Sequence, residues 1–79
     1  MKSLLFISGG YESIPGIELA NKMGYCTIVS DGNPNAPGYN VSNYKIIADT
    51  YNVDETLKMV KHFHDNTRTV DGVISVAAD

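Results

Sequence analysis

The chain has 79 residues, of which 43% are hydrophobic and 19% charged, with six basic and nine acidic side chains and a formal charge of −3. That length allows one small domain and no second, and the composition is that of a folded chain, not a disordered tail. The acidic balance, without any Lys/Arg cluster, speaks against a nucleic-acid partner, and no apolar stretch approaches the roughly 20 residues needed to span a bilayer.

Leu4, Leu5, Phe6 and Ile7 form a continuous apolar run that ends in Ser8-Gly9-Gly10. A run of this kind reads as a strand, β1, buried on both faces, and the glycines that follow it argue against a signal peptide. Ser13 stands where an N-cap would precede a first turn containing Pro15, and Ile14, Ile17, Ala20 and Met23 recur at helical spacing up to Gly24. These positions predict α1 with one apolar face.

Tyr25 to Ser30 reads as β2, with Asp31 at its carboxyl end and a loop, Gly32 to Gly38, rich in Gly, Asn and Pro. Cys26, the single cysteine, is expected to behave as a small buried hydrophobe, in keeping with a reducing, cytoplasmic setting. Lys45 to Ala48 reads as β3. Asn52 with Glu55 resembles a capping box for α2, whose apolar face is expected along Val53, Leu57, Val60 and His64 and whose end falls near Asn66. Val70 to Ala77 reads as β4.

The order β-α-β-β-α-β implies parallel pairing through right-handed crossovers. The fold class expected is α/β: an open parallel sheet, a Rossmann-like half with strand order 3-2-1-4, truncated after β4. One incomplete domain is expected over 1–79, because the chain stops at Asp79 without a helix to cover β4. A parallel sheet left open in this way calls for the remainder of a longer protein or for a partner chain, such as a second copy in a homodimer.

In such sheets ligands bind where the chain reverses direction, beyond the carboxyl ends of β1 and β4. The residues expected there are Gly9, Gly10, Tyr11 and Glu12 after β1, Asp31 after β2, and Asp79 after β4. Glycines without side chains allow a ligand to approach main-chain N–H groups, which suits phosphate or carboxylate, and Glu12 would balance an amine on the same molecule. A tight turn that binds nothing is the plain structural alternative. Gly9, Gly10 and Gly16 do not have the G-x-G-x-x-G spacing of a dinucleotide site, although Asp31 falls about 20 residues beyond the glycines, where an acid contacts ribose. Asp31 equally suits an Asp whose side chain opens the following turn. His62 and His64, two apart on a helix, do not converge on a metal, and Tyr39, Tyr44 and Tyr51 are expected to pack around the loop and β3.

The run FISGGYESIPGIELANKMGYCTIVSDGNPNAPG, followed by YKIIADTYNVDETLKMVK and VDGVISVAAD, resembles the N-terminal domain of ATP-grasp ligases, over almost the whole chain. It is most similar in layout to the carboxylate-amine ligases of purine synthesis and to relatives of the carbamoyl-phosphate synthase large chain. The stretch Asp31-Gly32-Asn33-Pro34-Asn35-Ala36-Pro37 and the pair Ala48-Asp49 carry the likeness most specifically. The resemblance implies a parent enzyme that uses ATP and magnesium to phosphorylate a carboxylate or bicarbonate, after which an amine displaces phosphate from the acyl phosphate. It assigns no catalytic residue and no cofactor to this stretch. It implies instead that Gly9, Gly10 and Glu12, with Asp79, help hold the non-nucleotide substrate. Tyr11 and Pro15 depart from what relatives often carry, which leaves the substrate open. A nicotinamide-binding half-domain of an oxidoreductase is the alternative reading.

Overall fold

A computed structural model describes residues 1–75. Four strands, β1 (Ser3–Ile7), β2 (Cys26–Asp31), β3 (Tyr44–Ile47) and β4 (Gly72–Ser75), form one sheet in the order β3-β2-β1-β4. Each neighbouring pair is parallel, so the expected topology holds throughout. The helices α1 (Ile14–Lys22) and α2 (Val53–Asn66) supply two of the crossovers, and short 3-10 turns occupy Tyr11–Ser13 and Pro37–Asn40. The expected extension of β4 to Ala77 lies partly outside the described residues.

The alternation of β1 sorts the core into two layers. Leu5 packs with Ile28, Ile46, Ala48 and Phe63, whereas Phe6 packs with Ile17, Ala20 and Val29. One layer therefore lies under α2 and the other under α1, as a strand apolar on both faces requires. Register follows from the same pattern: Leu5 pairs with Ile28 and Val73, and Phe6 with Val29 and Ile74. Beneath α1, Asn21 and Asn43 close a polar network around buried Thr27, whose hydroxyl donates to Asn21 Oδ1 at 2.8 Å and whose N–H donates to Asn43 Oδ1 at 2.9 Å. At the same, amino end of the sheet, Arg68 Nε donates to Ser3 Oγ at 2.7 Å and Asp71 Oδ2 accepts from Ser3 N–H at 2.8 Å. Those bonds tie the entry of β4 to the entry of β1.

Gly24, at φ 89°, closes α1 in a Schellman arrangement: its own N–H donates to Asn21 O, and that of Tyr25 donates to Ala20 O. Ser13 does not cap α1 as expected. It is buried within the preceding 3-10 turn, and its hydroxyl donates to Ser8 O at 3.0 Å. For α2 half of the capping box is present. Asn52 Oδ1 accepts from Glu55 N–H at 3.1 Å, but Glu55 Oε2 accepts from Asp49 N–H at 2.7 Å instead of from Asn52.

The apolar face expected on α2 is displaced. Thr56 and Phe63 are buried and Val60 is partly buried, while Val53, Leu57 and His64 are exposed. Phe63 decides the rotation, because its ring meets Tyr44 edge-on at 5.4 Å and fills the layer against Leu5 and Ile28. Tyr51, expected to pack, is 86% exposed, since the Asp49–Asn52 turn directs it away from the sheet.

Replacing Gly24 by alanine puts a Cβ on a left-handed residue and should lower the unfolding free energy by about 1 kcal/mol, read from urea denaturation. An unchanged midpoint would show that the helix end relaxes without cost.

Candidate functional site

The turn after β1 is built by an unexpected residue. Ser8, not a glycine, takes the left-handed conformation, at φ 83°. Its N–H extends the ladder to Ser30 O at 2.7 Å and its carbonyl is held by Ser13 Oγ, which together compensate a conformation that L-residues adopt at a cost. Gly9 and Gly10 follow with negative or extended torsions, so bare space is what they contribute. A Cβ on Gly9 would stand 2.7 Å from Val29 Cγ1 and 3.3 Å from Ala36 Cβ.

Gly9 is buried beneath the loop that follows β2. Its carbonyl accepts from Gly38 N–H at 2.7 Å, and a Cβ on Gly38 would come within 2.9 Å of Gly9 Cα. The Gly9 N–H in turn donates to Asp31 Oδ2 at 2.7 Å, and Asp31 Oδ1 accepts from Asn33 N–H at 2.8 Å. Asn33 repeats the device by accepting from Asn35 N–H, and Ala36 N–H closes the turn on Asn33 O. Tyr39 fastens the loop from below: its hydroxyl donates to Asp31 O at 2.6 Å, with Ile46 O at 3.2 Å. Two glycines thus meet back to back, and the loop is pinned to the turn.

Beyond Gly9 the turn faces solvent. Gly10 is half-buried, Glu12 is exposed and Tyr11 is 78% exposed. Among the described residues no acceptor takes the N–H of Gly10, Tyr11 or Glu12. The Glu12 carboxylate folds back toward Gly10, its Oε1 lying 2.6 Å from where a Cβ would be. Gly9, Gly10, Tyr11, Glu12 and Asp31 therefore share one rim at the carboxyl ends of β1 and β2, and Asp79 lies outside the described residues. A concavity of about 480 Å³ continues the rim between the ends of β2 and β3, lined by Asp31, Asn33, Ala48, Asp49, Tyr51 and Glu55.

The charged side chains along this rim, Glu12, Asp31, Asp49 and Glu55, are all acidic. Among the described residues no group of three or more His, Cys, Asp or Glu converges as a metal site. His62 lies by Asn66, and His64 Nδ1 accepts from Val70 N–H at 2.9 Å, so each ring serves α2 and its exit. No described helix is long and apolar enough to cross a membrane. Cys26 is buried, as expected.

Two residues bear on the rim that sequence reasoning passed over. Ser8 carries no signal as a left-handed residue, because serine seldom takes that conformation. Gly38 was legible only as the end of a loop rich in Gly, Asn and Pro, and its close approach to Gly9 depends on tertiary contact.

Sheet order and crossovers together define an open parallel α/β domain, with the glycine turn at the carboxyl ends of its central strands. No family model and no curated protein matches the chain. Among solved structures, the chain is similar to N5-carboxyaminoimidazole ribonucleotide synthetase from Thermotoga maritima, an ATP-grasp ligase of purine synthesis, at 31% identity over 77% of this chain with a TM-score of 0.68. The resemblance to ATP-grasp ligases carried by the sequence is thus matched by a shared fold. The chain spans 17% of that protein's length.

Replacement of Gly38 by alanine, which drives a methyl into the Gly9 backbone, should cost about 2 kcal/mol and shift the amide resonances of Gly9 and Gly10. Unshifted amides would mean that the loop and turn are not in the contact described. For Tyr39, burial first and then the charge of Asp31 hold the phenol above its ordinary range. A raised folded-state value means full stability below the unfolded value of about 10 and progressive loss as pH rises through the folded one. Tyr39→Phe should therefore unfold less steeply with pH than the wild type in that alkaline window. Equal slopes would dissociate Tyr39 from the effect.

Proposed function

We propose that the chain is the substrate-binding, N-terminal domain of an ATP-dependent carboxylate-amine ligase. The observation that carries this reading is the 31% identity with the purine-synthesis ligase over 77% of the chain, coincident with a parallel sheet of order β3-β2-β1-β4. In the parent enzyme ATP and magnesium would activate a carboxylate or bicarbonate as an acyl phosphate, and an amine would displace the phosphate. We place the ATP and magnesium sites in other parts of the parent, and no step of that chemistry is assigned to residues of this chain.

The part proposed for this chain is to hold the non-nucleotide substrate, a small molecule with a phosphate or carboxylate and an amine. The N–H groups of Gly10, Tyr11 and Glu12 would receive the anion, the glycine at position 10 would let it approach the main chain, and the Glu12 carboxylate would face the amine. Glu12 lies close enough to the turn to repel an anion that brings no amine, which favours zwitterionic ligands over plain phosphate. The oxidoreductase alternative asks Asp31 to offer its carboxylate to ribose hydroxyls. Both oxygens already accept main-chain N–H groups, which weighs against it.

The rest of the parent would dock along β4, whose outer edge is unpaired among the described residues and whose Val73 is 61% exposed. In sedimentation equilibrium the chain should behave as a monomer, because four short residues of edge strand offer little area to a second copy. A dimer abolished by Val73→Lys would assign that edge to self-association instead.

O-phosphoethanolamine, followed in amide spectra of the full chain, should move the resonances from Gly10 to Ser13, whereas ATP should leave them in place. ATP shifts confined to the turn, or none with either compound, would count against the reading.

A further inference from the structure

We infer that Asp31 is a positioning residue: it holds the glycine turn in the shape the ligand needs and does not itself touch the ligand. This rests on the reading of the rim proposed above. Gly9 is buried, and a buried main-chain donor must find an acceptor or cost the full desolvation of the group. The acceptor is Asp31 Oδ2 at 2.7 Å, and Val29 and Ala36 crowd the same side of Gly9 too closely for a side chain. The second oxygen is committed as well, to Asn33 N–H at 2.8 Å, at the first step of the loop. One carboxylate thereby links the turn after β1 to the loop after β2, and Gly38 closes the link from the other side through Gly9 O.

The consequence is a division of labour along three consecutive peptide groups. Gly9 faces inward and is held by Asp31. The N–H groups of Gly10 and Tyr11 have no acceptor among the described residues. Turning the Asp31 side chain toward a ligand would abandon both donors at once, one of them buried. An acid at the end of β2 therefore acts here through Gly9.

The experiment uses the 79-residue chain with O-phosphoethanolamine as probe. Without ligand, Asp31→Ala should speed hydrogen exchange at the Gly9 and Asn33 amides by about ten-fold or more, while Leu5 and Phe6 in β1 keep wild-type rates. Asp31→Asn, which retains one accepting oxygen, should leave one of the two amides slow and is the informative variant if the alanine form does not fold. In the wild type, the Asp31 carboxyl-carbon resonance should stay fixed while Gly10 and Tyr11 titrate, and Asp31→Asn should weaken binding by about ten-fold. Wild-type exchange at both amides in either variant overturns the inference. So does an Asp31 carboxyl carbon that moves on the same saturation curve as Gly10. If the probe leaves Gly10 to Ser13 unmoved, the functional reading fails, and the ligand-free exchange rates still decide the role of Asp31.

Discussion

Burial of β1 on both faces and both edges is the constraint from which the rest follows. A strand in that position can offer no polar side chain to solvent, so its residues from Leu4 to Ile7 are apolar, and its neighbours pair with it in parallel. Leu5 and Phe6, each about 1% exposed, anchor opposite layers. Once they do, α1 and α2 are assigned to opposite faces, and the carboxyl ends of β1 and β2 come out side by side.

That adjacency creates a problem which the rim solves. Where β1 ends, its chain must turn under the incoming loop, leaving main-chain groups at Gly9 shut away from water. The Asp31 carboxylate and the Gly38 N–H satisfy them, and the loop is thereby fixed to the turn it covers. Rigidity at a binding edge reduces the ordering cost of association, so the clasp and the proposed site are aspects of one arrangement. The strained torsion at Ser8 belongs to the same economy of backbone, since its carbonyl is occupied by Ser13 and its N–H by Ser30.

Several features were legible in the residues because they depend on near neighbours. The runs Leu4–Ile7 and Tyr25–Ser30 marked β1 and β2, Gly24 marked the end of α1, and Asn52 marked the start of α2. The buried face of α2 departs from its spacing for a definite reason: Val53 and Leu57 share helical spacing with Val60, but Phe63 packs against Leu5 and Ile28 and leaves them outward. Ser13 does not cap α1 because a 3-10 turn precedes the helix, placing the hydroxyl against Ser8 and not over the first turn of α1.

Periodicity and punctuation, being local, determined from the sequence alone that this is a parallel α/β unit with order 3-2-1-4 and that its glycine turn and Asp31 stand at the same end. Only the tertiary structure decided what Asp31 does there, which residue bends the chain, and which glycine meets Gly9. Those outcomes depend on approaches between segments some 20 to 30 residues apart, where a difference of a fraction of an ångström separates a ligand contact from a buried hydrogen bond.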